Sequence, residues 1–291
     1  MGREIAVRCP TRIDLAGGWS DVPVYCNSKS GEVVNVAITH YVTAKMTIDN
    51  NRRLAVQYST DVPIGSGLGT SGAMNVALLA AIAGEGRKPE EIAEMAFQFE
   101  TILGNTGGRQ DQWASALGGI NHLTFNGDNV EVNRLNPSIE FRTWLQNHLL
   151  LFDSNIQHVS GELHDNIWKK FHANNEEIIQ GLDMIRGAGL AMAEAISEED
   201  ICQVVNSVRM VMLGVDLLDE KLHDPFRQVL TPLQQIGYIL AWKAMGAGGG
   251  GVVGVIIEGG DKSKSAILDA TNSAGWSQLH WAIEESGITQ Q

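Results

Sequence analysis

Residues Pro63-Ile64-Gly65-Ser66-Gly67-Leu68-Gly69-Thr70-Ser71-Gly72 run without a break into an apolar stretch, Ala73 to Ala83, in which Asn75 is the only polar residue. Such a stretch predicts a helix buried on almost every side, lying under a sheet. The loop in front of it brings unhindered backbone N–H groups and the positive end of a helix dipole to one place, which is what a phosphate group binds. The lysine of G-x-x-x-x-G-K-[ST] is missing, so a nucleotide would be held by backbone, hydroxyls and metal rather than as in a Walker ATPase.

A sheet to cover that helix is legible upstream. Strands are expected at Glu4 to Cys9, Gly31 to Ile38, Val42 to Ile48 and Arg53 to Tyr58, the last two joined across Asn50-Asn51 as a hairpin. Pro89, followed by Glu90 and Glu91, opens a further helix reaching about Leu103. Gly119 to Phe125 and Val130 to Leu135 flank Asn126-Gly127, a hairpin signal, and Leu149 to Phe152 reads as another strand. After Asp153 the pattern turns helical, at about Asn174 to Ile196, Glu199 to Leu222 and Pro225 to Trp242, before a strand at Val252 to Ile257, a short helix and a closing strand near Trp281. Two domains are expected, residues 1–155 and 156–291.

With 291 residues, two such units can each bury a core. The formal net charge of −13 argues against a nucleic-acid or anionic membrane surface. The first residues lack a signal-peptide core, and no later stretch reaches membrane-spanning length without polar interruption, so a cytoplasmic protein is expected. Cys9, Cys26 and Cys202 form an odd, scattered set that fits reduced thiols, and the histidine spacing predicts no zinc site.

A second glycine run, Gly246-Ala247-Gly248-Gly249-Gly250-Gly251, precedes the strand at Val252. Both runs satisfy G-x-G-x-x-G, yet neither sits in a dinucleotide-binding context, because the acidic residues about 20 positions after Gly72 fall inside a helix and not at a strand end. No H-R-D or D-F-G occurs, which excludes a protein kinase. Packing explains most isolated glycine clusters. A hydroxyl- and glycine-rich loop and a second glycine loop in one chain instead suggest a clamp on a polyphosphate.

Together with Arg8-Cys9-Pro10-Thr11-Arg12-Ile13-Asp14-Leu15-Ala16-Gly17-Gly18-Trp19-Ser20-Asp21, the two loops resemble, in order and spacing, the GHMP kinase superfamily of small-molecule kinases. Within it, Gly17 to Asp21 and Gly65 to Ser71 look most like fucokinases. Gly107-Gly108-Arg109-Gln110-Asp111-Gln112-Trp113 looks as much like the heptose-phosphate kinases. The resemblance implies an α+β, two-domain fold, with a ribosomal-protein-S5-like N-terminal domain and a ferredoxin-like C-terminal domain. It implies transfer of the γ-phosphate of ATP, with Mg2+, to a hydroxyl of an L-fucose-type or heptose 7-phosphate-type sugar. Whether the acceptor already carries a phosphate stays open, although no cationic cluster for one stands out and a neutral sugar is favoured. A catalytically silent sugar and ATP sensor, or a kinase of a non-sugar alcohol such as mevalonate, are the alternatives, and a homo-oligomer is possible.

By the same resemblance Asp111 takes the place of the catalytic Asp and Arg12 that of the basic residue beside it. A carboxylate at hydrogen-bond distance orients an acceptor hydroxyl and takes its proton late, while a guanidinium neutralises developing phosphate charge. Gly65, Ser66, Gly67, Leu68, Gly69, Thr70 and Ser71, with Gly248 and Gly249, are expected to hold ATP. Glu100 and a hydroxyl of Thr70 or Ser71 are expected to ligate Mg2+, which prefers hard oxygens. Asp21 would accept bonds from sugar hydroxyls, with Gly18 and Trp19 beside it, Trp19 offering a stacking face. Blander readings stand next to these: helix capping for Thr70 and Ser71, core packing for Trp19, a strand-end residue for Asp14, and a solvated loop for His158-Val159-Ser160-Gly161. Lys243 and Arg109 flank the glycine loops, and phosphate contact or surface solvation explains either.

Overall fold

Two strands expected as separate, Gly31 to Ile38 and Val42 to Ile48, form one 18-residue strand in the computed structural model, which describes residues 3–51, 53–84, 86–156 and 161–291. The polar interval at Thr39 to Tyr41 does not break it, because the Thr39 N–H donates to Ala282 O and Ile38 bridges Ile283 near the far end of the chain. The first part of the fold comprises β1 (Arg3–Ala16), a single turn α1 (Pro23–Cys26), β2 (Gly31–Ile48), β3 (Leu54–Thr60), α2 (Thr70–Ala83), α3 (Pro89–Ile102), α4 (Gln110–Leu117), β4 (Ile120–Asn126) and β5 (Asn129–Leu135). The rest is α5 (Ile139–His148), β6 (Leu149–Asp153), α6 (Gly161–His172), α7 (Glu176–Glu198), α8 (Ile201–Leu218), α9 (Asp224–Gln235), β7 (Ile239–Ala244), β8 (Val252–Ile257), α10 (Asp261–Ser273), β9 (Ser277–Leu279) and β10 (Thr289–Gln290).

The first sheet has the antiparallel order β10-β1-β2-β4-β5, with β3 also paired to β2, and the second has the order β7-β8-β6-β9. β6 lies before residue 155 and joins the second sheet, and β10 at the far end of the chain joins the first, so both sheets draw on both halves of the sequence. The side chains of α2, α3 and α4 pack with one face of the first sheet, including Val7, Cys9, Val33 and Met46. On its other face Ile13, Leu15, Val34 and Val36 meet α7 and α8, and this core continues to Leu149, Leu151 and Ile256 of the second sheet. A third cluster joins α9 and α10 to the far face of that sheet through Phe226, Trp242 and Trp276.

One irregularity in β1 positions the site. Val7 and Cys9 face α2 and α4, but the register shifts between Pro10 and Thr11, and beyond it Ile13 and Leu15 face α7. The shift leaves Thr39 and His40 of β2 without partners in β1, and a proline, which cannot donate to the ladder, is tolerated at such a point. The even-numbered Arg12 and Asp14 are thereby turned to the side of α4.

Three further expectations change. The helix expected over Pro225 to Trp242 ends at Gln235; Gly237, at φ +82°, reverses the chain and Ile239–Ala244 pairs with β8. A short apolar strand buried on both faces has no alternation to distinguish it from a helix. Helix α2 begins at Thr70, and Ser71 and Ile82 are exposed, so it is not buried all round. Residues Gln110 to Trp113, where no helix is expected from the sequence, open helix α4. Helix α8, at 18 residues and mean hydropathy 1.5, has the length and composition of a membrane span, but Val204, Val208, Val211 and Val215 pack into the core beside α7. Of the His158 to Gly161 loop, residues 158–160 lie outside the described residues.

Candidate active site

Where α2 begins, α4 begins and β1 ends, a cavity of about 190 Å³ opens between the two glycine loops. Arg12 is the hub. Its Nε and Nη2 reach the same oxygen of Asp111, Oδ1, at 2.8 and 2.6 Å, and its Nη1 donates to Gly67 O (2.5 Å) in the first loop and to Met245 O (3.0 Å) before the second. One planar guanidinium therefore fixes an aspartate and both loops, a task that needs its several divergent donors. The Arg12 side chain is 5% exposed and that of Asp111 is 30% exposed, so the carboxylate, not the guanidinium, meets the open cavity.

Glycines allow this crowding. A Cβ at Gly72 would lie 2.7 Å from the Asp111 Cβ, and one at Gly67 would lie 2.9 Å from the Gly246 nitrogen. Gly72 thus leaves room for the Asp111 helix. Gly248 to Gly251 all have positive φ, a run that only glycine takes without strain.

The expected nucleotide-binding residues separate by position. Ser71, Gly72, Gly246 and Ala247 line the cavity, while Gly65 and Ser66 border a neighbouring one with Asp153 and Asn155. Leu68 is fully buried and its carbonyl accepts from the Arg12 N–H. Gly248 packs against Leu222, and the Gly249 N–H donates to Leu222 O, so this pair anchors the second loop and Gly246-Ala247 is the part that faces the cavity. The cap of α2 is Gly69, at φ +72°, without a side-chain bond, so neither Thr70 nor Ser71 caps the helix. Thr70 Oγ1 turns back to Pro63 O (3.3 Å), leaving Ser71 as the hydroxyl that opens into the cavity.

Glu100, near the end of α3, is 5% exposed and lines the same cavity. Its two oxygens accept from Asn75 Nδ2 (2.8 Å) and Asn105 Nδ2 (2.6 Å). Among the described residues no cluster of three His, Cys, Asp or Glu side chains could cage a metal alone. A buried, oriented carboxylate with a nearby hydroxyl fits Mg2+, whose remaining ligands are water and nucleotide phosphate.

On the opposite wall, Gly17 to Ser20 form a tight turn closed by Ser20 Oγ on Gly17 O (2.6 Å). Trp19 adopts φ +85°, a strained conformation for a bulky residue and one concentrated at functional sites. It lies 8% exposed, its ring 4.4 Å from His164 and 5.8 Å from Trp168, so it lines the cavity and packs in the core at once. Asp21, 2% exposed, accepts the N–H of Gln110, the first residue of α4, at 3.0 Å. Burial, opposed by that bond and reinforced by Asp111 and Asp14, pushes its pKa up from 3.8 to about 6.

Sequence reasoning missed Asp14, Gln110 and His164 as cavity residues, and Lys243, for which surface solvation was one expectation, is buried. Asp14 is not a bland strand end: buried Lys243 Nζ, on β7, donates to its carbonyl (2.6 Å) and to its Oδ2 (2.9 Å). A lysine inside the apolar run Ile239 to Met245 was the available signal, since a buried ammonium needs a partner. Arg109 is not solvated and is not among the residues that line the cavity; it is buried, lies over the Phe97 ring and donates to Gly127 O.

Residues 33–119 match the GHMP kinases N terminal domain. Over 300 residues the chain is 25% identical to a D-glycero-alpha-D-manno-heptose 7-phosphate kinase of Campylobacter jejuni, covering 86% of this chain and 88% of that one. It is 24% identical to the bifunctional fucokinase/GDP-fucose pyrophosphorylase of Arabidopsis thaliana, over 90% of this chain but only 30% of that larger protein. A crystal structure of a D-glycero-D-manno-heptose 1-phosphate kinase from Bacteroides thetaiotaomicron superposes with a TM-score of 0.77 at 19% identity, covering 99% of this chain and 98% of that one.

Proposed function

We propose that this chain, which carries the N-terminal domain and the α+β fold of the GHMP kinases, is an ATP-dependent phosphotransferase that phosphorylates a sugar hydroxyl. The observation that carries the reading is the meeting of Asp111, Arg12 and both glycine loops at one cavity. Both Arg12 contacts fall on Asp111 Oδ1, so the second carboxylate oxygen is the one available to an acceptor O–H.

In this reading the loops from Gly65 to Ser71 and Gly246-Ala247 bind the ATP phosphates at the α2 N-terminus. Asp111 aligns the acceptor hydroxyl; as its oxygen bonds to the γ-phosphorus and the bond to the β-phosphate oxygen breaks, the proton passes to Asp111. Arg12 keeps the carboxylate in place and offsets charge on the transferring group. Glu100 and Ser71 would hold Mg2+, which when bound shields the phosphate oxygens from each other. The domain division at residue 155, a cytoplasmic location and a small-molecule partner belong to the same reading.

The test is acceptor-dependent ADP release with Mg-ATP over L-fucose, a heptose 7-phosphate, galactose and mevalonate. A sugar should turn over, and Asp111→Asn should lower kcat by about a hundredfold or more while ATP still binds. Near-normal turnover by Asp111→Asn would remove the base from this scheme. ATP bound but no acceptor used would replace the enzyme with a ligand sensor.

A further inference from the structure

We infer that Asp14, held by Lys243, is a specificity residue that reads hydroxyl groups of an unphosphorylated, polyhydroxylated acceptor. The inference rests on the phosphotransferase reading and names the acceptor class for the same cavity.

Asp14 is 5% exposed, and its two carboxylate oxygens are not equivalent. Oδ2 takes the Lys243 ammonium, while Oδ1 is buried with no hydrogen-bond partner in the protein. A buried carboxylate oxygen left without a donor is costly, so it points to a donor from outside the chain. Asp14 borders the main cavity and an adjoining void of about 10 Å³ shared with Lys243 and His223, room for a single water. Gln110 Oε1 and Gln112 Oε1 line the same cavity and are likewise buried without partners. Gly18 brings two of these groups together, because a Cβ there would lie 2.3 Å from Asp14 Oδ2 and 2.6 Å from Gln110 Nε2.

This wall, with Asp21 beside it, offers unused acceptors. A sugar hydroxyl can donate to them, whereas a phosphate monoester at neutral pH is chiefly an acceptor and would add like charge. The carboxylates of Asp14, Asp21, Glu100 and Asp111 already line the cavity. Among the described residues, the Arg and Lys side chains at this wall are Arg12 and Lys243, and each is bonded to one of those carboxylates. Lys243 is a positioning residue: from the second sheet it sets the carboxylate that ends β1, and burial lowers its own pKa against the pull of Asp14.

The test compares free sugars with their terminal phosphate monoesters as acceptors, measuring kcat and KM for acceptor and ATP in the wild type, Asp14→Asn, Lys243→Met and Gly18→Ala. The wild type should favour the free sugar by at least tenfold in kcat/KM. Each variant should raise the acceptor KM about tenfold with the ATP KM within threefold, and Gly18→Ala does so by crowding Asp14 Oδ2 and Gln110 Nε2 while leaving both charges of the ion pair in the chain. Preference for the phosphate monoester, or variants that lower only the melting temperature and leave the acceptor KM unchanged, would overturn the inference while leaving the kinase reading intact. A wild type that binds ATP but uses no acceptor in either arm would overturn both.

Discussion

Replacing Asp21 by Asn should make the protein more stable and a worse catalyst. The carboxyl titrates at about 6 in the folded chain instead of 3.8, chiefly because it is buried. Between those values the folded state keeps a proton that the unfolded state has lost, so stability falls as pH rises through the window and the full cost applies above it. About two pKa units at about 1.4 kcal/mol each amount to about 3 kcal/mol. Asn carries no charge at any of these pH values and its side-chain oxygen can still accept the Gln110 N–H. The variant should therefore gain up to about 3 kcal/mol at pH 8, a rise of roughly 4–6 °C in Tm for a chain of this size. The advantage should narrow to about half by pH 5 and vanish near pH 3. Urea unfolding of both proteins across that range measures it, and acceptor kinetics should show a raised KM. A variant less stable than the wild type at pH 8, or a stability gap that does not vary with pH, would refute the reasoning.

Other perturbations address single geometric claims. Arg12→Lys keeps the charge but cannot bridge Asp111, Gly67 O and Met245 O together, so kcat should fall about tenfold or more while circular dichroism is unchanged. Gly72→Ala places a Cβ 2.7 Å from the Asp111 Cβ and should cost about 1–3 kcal/mol in denaturant unfolding, with a loss of kcat as α4 is pushed from α2. Gly187→Ala, in α7, meets nothing nearer than Met210 Cε at 3.9 Å and should raise stability by about 0.5–1 kcal/mol without altering kinetics.

Much of the site was legible because its parts are contiguous in sequence. The glycine loop, the apolar helix behind it and the Arg12 to Asp21 segment each carry a local pattern, and Arg12, Trp19, Asp21, Ser71, Glu100 and Asp111 do line one cavity. The strand at Ile239–Ala244 was not legible, because burial on both faces erases the alternation that marks a strand. Helix α4 was hidden by the glycines before it and is only eight residues long.

What the sequence determined by itself was therefore chemical: which residue types could bind phosphate, take a proton and neutralise charge, and that two glycine loops existed to be brought together. The tertiary structure alone decided which atoms are available to use. The shift at Pro10 turns Arg12 and Asp14 to the side of the site, Gly72 admits α4, and Thr70 and Gly249 are spent on the fold while Ser71 and Ala247 face the cavity. Lys243 meets Asp14 across 229 residues of chain. No local pattern encodes that pairing, because it exists only where packing of the two sheets has removed water from both charges.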